Sequence, residues 1–250
     1  MNIKKVFEEG NEVKLLITGT NIALINAIRR TAMSEVPVLA IEDLAIHRND
    51  SVLFDEYIGA RLGLLPLKTD LKTYKLGDKV KLILKEKGPK MVLSSDIKCS
   101  DPSVEVVNKE VPIVKLRDNE EIFIEMQAEA NIGKEHVKWQ PALVAYNEMP
   151  KLEGKVSERE AKEVIKSCPK KILEFKAGKI IIEKPYECDL CGYCEIASKG
   201  KLKLVPSNNS FIFTIETYGG LTNQEILEKS VEVLEAKCKE FESEIKGKIK

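Results

Sequence analysis

Apolar and polar positions alternate over residues 3–18, broken once at Glu9-Gly10-Asn11. This predicts two short strands, VFEE and VKLLITG. The period then lengthens. NIALINAIRRTAMSEVP predicts a helix that Thr20 or Asn21 can cap, with Pro37 just beyond its end. Its apolar stripe is Ile22, Ile25, Ile28 and Ala32, with Arg29 and Arg30 at the edge. LAIEDLAIHR is a strand candidate, and SVLFDEYIGARLGLLPL a short helix that breaks at Gly63 and Pro66. Residues 79–86, 90–94, 104–114 and 121–130 read as further strands, so the middle of the chain is mostly β.

Residues 150–160, PKLEGKVSERE, read as a charged hinge. A helix follows whose Ser157 and Glu160 form a capping box. ILEF and KIIIEK flank Ala177-Gly178, a compact hairpin signal. KLKLVPSNN closes this stretch, and SFIFTIETY predicts a strand. Thr222 and Glu225 make a second capping box before a helix of about 25 residues. There Leu227, Val231, Leu234, Cys238, Phe241 and Ile245 recur at coiled-coil spacing, amid dense charge. One narrow apolar row on so charged a helix calls for a partner, either internal or on another chain.

The 250 residues hold 43% hydrophobic and 32% charged side chains, with 40 basic and 40 acidic groups. That suffices for a core, and a balanced charge argues against nucleic-acid binding by bulk charge. No stretch approaches the roughly 18 apolar residues of a membrane span, and MNIKKVFEEGNEVK lacks the apolar run of a signal peptide. We therefore expect a cytoplasmic protein without membrane contact. There clustered cysteines serve as metal ligands or redox groups more often than as disulfides.

Four of the six cysteines fall in CPKKILEFKAGKIIIEKPYECDLCGYC. Cys188, Cys191 and Cys194 have C-x2-C-x2-C spacing, and Cys168 precedes Pro169. In the ferredoxin run C-x2-C-x2-C-x3-C-P, the fourth cysteine serves the other cluster. Here that fourth position is Ser198. The positions that would precede Cys168 in its own run are Glu158, Ala161 and Val164. The ligands of one cluster are complete and those of the other are gone. The expected cofactor is one iron–sulfur cluster, [4Fe-4S] on Cys168, Cys188, Cys191 and Cys194, with [3Fe-4S] on the last three and structural zinc on all four as alternatives. No G-x-G-x-x-G, P-loop or Asp-rich metal motif accompanies it, so the cluster is expected to brace a small module, with an iron–sulfur electron carrier as the alternative function.

Other candidates carry less. Cys238 is read as a small, buried residue of the seam, and Cys99 has no assigned role. His47 and His136 share no metal-ligand spacing. EHVKWQPALVAY reads as a packed loop without a nucleophile–base pair. Arg29 and Arg30 form either a solvated helix end or a pair that reaches a partner's carboxylate.

Together these stretches resemble the α-type RNA polymerase subunits. NIALINAIRRTAMSEVP looks like their first helix and ARLGLLPL like the signature near the start of their second domain. HVKWQP is similar to a segment of the archaeal and eukaryotic members. FIFTIETYGGLTNQEIL and the helix after it look like their dimerisation element. The resemblance implies an α+β fold: a discontinuous dimerisation domain (1–46 plus 207–250), an inserted mostly β domain (47–152) and a ferredoxin-like cluster domain (153–206). It implies a subunit with no catalytic residues of its own. Such a subunit pairs with a smaller α-like subunit L, recruits small subunits N and P, and docks the large catalytic subunits, meeting DNA only through the complex. The interface would use Ile22, Ile25, Ile28, Arg29, Arg30 and the six seam residues.

Overall fold

The computed structural model describes residues 1–248, with side chains to residue 246. The order is β1 (Asn2–Glu9), β2 (Glu12–Thr18), α1 (Ile22–Ser34), β3 (Val38–Asn49), α2 (Asp55–Gly63), β4 (Lys79–Lys87), β5 (Lys90–Leu93), β6 (Lys98–Cys99), β7 (Pro112–Leu116), β8 (Glu121–Asn131), β9 (Ala142–Gly154), α3 (Glu158–Ser167), β10 (Leu173–Lys176), β11 (Lys179–Ile182), α4 (Tyr193–Ala197), β12 (Leu202–Thr217) and α5 (Asn223–Lys248). The chain is α+β, as expected. Its packing divides it into two compact units, 1–27 with 145–215, and 28–144 with 216–250. The three expected segments are distributed over these two units.

The first unit is built on a sheet of order β1-β2-β12-β9. β12 contributes the fully buried Phe211, Phe213 and Ile215, and β2 contributes Val13 and Ile17. Two expectations change here. The hinge expected at 150–160 is strand as far as Gly154, and KLKLVPSNN runs without a break into SFIFTIETY as the 16-residue β12. Charge at 151–155 and the turn formers Pro206, Asn208 and Asn209 hide the end of β9 and the start of β12, because sheet pairing overrides local propensity. The added Cβ of Gly154 would strike the Lys201 carbonyl, and Tyr146 meets Phe211 edge-on with centroids 6.0 Å apart. β9 and β12 therefore run in opposite directions, and residues 155–201 leave and re-enter the sheet at one place.

Those residues form a small module. The Ser157 capping box is present: its Oγ accepts from Glu160 N–H at 3.4 Å, and Glu160 Oε2 accepts from Ser157 N–H at 3.0 Å. The β10–β11 hairpin turns at Ala177 and Gly178, both at positive φ. Val156, Ala161, Val164, Leu173, Ile180 and Leu202 make its core.

The second unit holds a sheet of order β3-β8-β4-β6 and a β5–β7 pair. Alternation puts Val80, Leu82 and Leu84 of β4 and Ile122, Ile124 and Met126 of β8 inside, against Ile58 and Leu62 of α2. The strand expected over 104–114 begins only at Pro112, and the residues before it pack as loop, with an isolated bridge from Leu67 to Val106. Arg61, from ARLGLLPL, donates through Nη1 to the Pro112 and Ile113 carbonyls (3.2 and 3.0 Å), which ties α2 to β7. EHVKWQPALVAY is only half loop: 137–139 form a 3-10 turn and β9 starts at Ala142. Lys138 lies over the Trp139 ring and donates to the Ile41 carbonyl (3.1 Å) and to Glu42, at an irregularity in β3. Trp139 Nε1 donates to the Glu129 carbonyl at 2.9 Å. The segment thus clamps β3 to β8 and is structural.

Candidate functional site

The four cysteines come together. Cys168 ends α3, Cys188 and Cys191 follow on the loop into α4, and Cys194 lies in its first turn. All four line one cavity, together with apolar groups such as Ile172, Ile182 and Leu204 and with Lys170 and Asp189. The loops bend through left-handed residues shortly after three of these cysteines: Lys171 (φ 54) after Cys168, Leu190 (φ 57) after Cys188, and Gly192 (φ 77) after Cys191. Such bends turn consecutive amides toward one side. Burial pushes the Cys188 and Cys194 thiols up, opposed in part by the Leu190 amide at Cys188 and the Glu195 amide at Cys194. A bound metal reverses that balance, since a coordinating thiol is deprotonated outright. Among the described residues, no group of three or more His, Cys, Asp or Glu side chains closes up around a single metal-ion position. The donor set, four thiols around one apolar cavity, has the chemistry an iron–sulfur cluster uses.

The positions vacated by the second run have a clear physical fate. Ala161 and Val164 are buried in the module core beside Leu173 and Leu202. Ser198 is buried too; it donates to the Glu195 carbonyl (2.8 Å) and accepts from the Leu202 amide (2.9 Å). Of the four positions at which a second run would place cysteines, two hold buried hydrocarbon and one a satisfied hydroxyl, while Glu158 is exposed. Tyr186, two residues before Cys188, packs on Phe7 of β1 with centroids 6.2 Å apart, a contact without a sequence signal.

The helical candidates behave differently from one another. In α1, Asn21 is the cap, its Oδ1 accepting from the Leu24 amide at 3.0 Å. Ile22 is exposed, Ile28 half-buried, and Ile25 is 0% exposed. Ile25 therefore belongs to the chain's own core and offers no surface to a partner, which corrects the expectation for that residue. Its stripe neighbour Ala32 is buried likewise. Arg29 Nη1 lies 3.6 Å from Met33 Sδ, and Arg30 is exposed.

In α5 two rows separate cleanly. Ile226 and Ser230 are fully buried, Val233 is half-buried, and Lys237 pairs with Glu35. One position further round lies the seam. Leu227 and Leu234 are half-buried, while Val231 (43%), Cys238, Phe241 (68%) and Ile245 are exposed. Cys238 is thus not buried by its own chain, contrary to expectation: the inner row takes the contacts with the body and turns the seam outward. The inner row escaped sequence reading because Ser230 and Lys237 interrupt its apolar character.

His47 stacks on Phe123 (4.6 Å between centroids) and lies 3.6 Å from Glu125; His136 accepts from the Lys138 amide. Both are structural. No described helix is long and apolar enough to cross a membrane.

Residues 55–146 match the RNA polymerase Rpb3/RpoA insert domain family. Over most of its length the chain is similar to proteins named DNA-directed RNA polymerase subunit Rpo3. The one from Methanosphaera stadtmanae is 34% identical, covering 95% of this chain and 96% of the relative. The one from Pyrococcus furiosus is 35% identical, covering 94% and 93%. The DNA-directed RNA polymerases I and III subunit rpac1 of Dictyostelium discoideum is 28% identical, over 95% of this chain and 80% of that protein. These matches support a polymerase subunit and give no support to a free-standing electron carrier. With identity above 30% along nearly the whole of both chains, this protein belongs to the α-type RNA polymerase subunits, in the archaeal Rpo3 branch.

Proposed function

We propose that the chain is a non-catalytic assembly platform of RNA polymerase. Its α5 seam, with Ile22, Ile28, Arg29 and Arg30 of α1, pairs with the smaller α-like subunit L. The pair then takes up the small subunits N and P and the large catalytic subunits, so the chain meets DNA only through the complex. One observation carries this reading. Six seam residues run along a helix whose neighbouring row the chain already uses, and three of the large ones, Val231, Phe241 and Ile245, are exposed. Unpaired, such a row leaves apolar area in water at about 25 cal/mol per Å². Co-expression with L tests it: a stable heterodimer is expected for the natural chain, and Leu234→Asp, which would bury a charge in the seam, abolishes it. A chain that stays monomeric beside L overturns the reading.

Within that platform, the module at 155–201 holds one iron–sulfur cluster on Cys168, Cys188, Cys191 and Cys194. When bound, the cluster supplies the cross-link that so small a core needs. The crossed cysteine spacing and the shared cavity support this. Iron and acid-labile sulfide assayed on anaerobically purified protein test it. Iron without a Cys168 dependence points to three irons, and zinc without sulfide overturns the cluster.

A further inference from the structure

Between β12 and α5 the chain turns through Tyr218-Gly219-Gly220-Leu221-Thr222, and loops of the Rpb3/RpoA-like insert grip this turn. The Gly220 carbonyl accepts from the Thr69 amide at 3.0 Å. Thr69 is buried; its Oγ1 accepts from the Leu39 amide of β3 (3.0 Å) and donates to the Leu67 carbonyl (3.2 Å). Gly219, at φ 91, rests on Val107: a Cβ there would lie 2.5 Å from Val107 Cγ1. A Cβ on Gly220 would lie 2.7 Å from the Leu67 carbonyl oxygen. The two gripping segments are themselves joined, because the Val107 amide donates to Pro66 (3.0 Å) and the Lys68 amide to Glu105 (2.8 Å). Thr217 closes the turn from within, donating to the Leu221 carbonyl at 2.6 Å and accepting from the Gly219 amide at 3.0 Å.

We infer that the insert segments 66–69 and 105–107 are the positioning residues of the partner-binding helix, acting through the Gly219-Gly220 turn. The helix leaves that turn at Asn223. At about 1.5 Å per residue, a tilt of about 10° at its root carries Phe241 sideways by roughly 5 Å, comparable to the helix pitch. Knobs-into-holes packing does not tolerate such a shift. A small relaxation of the turn therefore disengages a seam whose residues are all intact. Only glycine fits both contacts, since bulk at either site meets backbone or a β-branched side chain.

The inference rests on the seam being the surface that pairs with L, and the test separates the two. The full chain is titrated with purified L, and dissociation constants are compared for Leu234→Asp, Gly220→Ala, Val107→Phe and Val107→Ala. Each variant's thermal midpoint is measured alone. Gly220→Ala and Val107→Phe are expected to weaken binding on the order of tenfold or more, because both push the turn away from its seat. Val107→Ala loosens packing and lowers the midpoint, yet is expected to bind within about twofold of the natural chain, since the backbone grip remains. Weakening that merely follows the midpoint across all three variants overturns the inference. So does natural affinity in a folded Val107→Phe while Leu234→Asp has lost binding. If Gly220→Ala does not fold, the Val107 pair decides alone. If Leu234→Asp binds as the natural chain does, the seam reading falls and this inference falls with it.

Discussion

Lys237 in α5 forms an ion pair with Glu35, just past the end of α1. An exposed pair of this kind contributes only about 0–1 kcal/mol, so it marks the direction of the helix more than it secures it. The securing groups are Ile226 and Ser230, both fully buried on the same row.

The two rows of α5 should therefore answer differently to truncation. Ile226→Ala is expected to lower the stability of the isolated chain by about 2–5 kcal/mol, through lost burial and the cavity left behind. Phe241→Ala, on the outward row, should change it by less than about 0.5 kcal/mol. Urea unfolding of each variant checks this. Equal losses would mean that the seam already packs on its own chain.

The α3 cap should respond to acid late. Lys201 beside Glu160, together with the Ser157 bonds, holds that carboxyl down at about 2. A carboxyl depressed in the folded state contributes stability that is present above its unfolded value, near 4.5, and is lost as the pH falls toward 2. Glu160→Gln should thus weaken the module at pH 7, and the gap between variant and natural chain should close between about pH 4.5 and pH 2. Urea midpoints for 155–201, followed at several pH values, give the comparison. A gap that closes already above pH 5 would contradict the Lys201 contact.

Replacing any one ligand should separate the module from the rest. Cys188→Ser is expected to lose iron and sulfide together and to open 155–201 to limited proteolysis, with the insert core still protected. Ser198→Cys should not gain a second cluster, because Ala161 and Val164 fill the neighbouring ligand positions with hydrocarbon. Iron content per chain reads both. Added iron in Ser198→Cys would show that the packed core can give way to a cluster.

Arg61 offers a stability test inside the insert. Arg61→Ala removes two donor contacts to the Pro112 and Ile113 carbonyls and should cost about 1–3 kcal/mol. Lysine at the same position should recover only part, since its flexible ammonium is not held in the rigid guanidinium plane that aims Nη1 at both carbonyls. Chemical denaturation compares the three. Full recovery by lysine would reduce the role of Arg61 to charge.

What the sequence discloses depends on how local the cause is. Both capping boxes and the Ala177-Gly178 turn form as read, because each is decided by residues three or fewer apart. β9 and the first half of β12 are hidden because their strand character comes from one another across the sheet, through residues that locally favour turns, whereas SFIFTIETY reads as strand. The cysteine cavity is legible as a spacing, whereas the Tyr186–Phe7 contact beside it is not. Ile25 shares the stripe of Ile22, but a stripe does not say which end the chain buries. The Gly219-Gly220 turn carries no sequence signal of its closeness to Val107 and Leu67, which comes only from the fold.

The meeting of Gly154 with Lys201 has a consequence for how such chains can diverge. Two neighbouring strands of one sheet hand the backbone out and take it back at the same rung, so the 47 residues of 155–201 close on themselves. A lineage could trade the whole stretch for a tight turn and leave the ladder beneath it unbroken. The four cavity cysteines all lie inside that closed stretch, so a chain that lost it would lose them together, while α5 and the Gly219-Gly220 turn, which lie outside it, would be untouched.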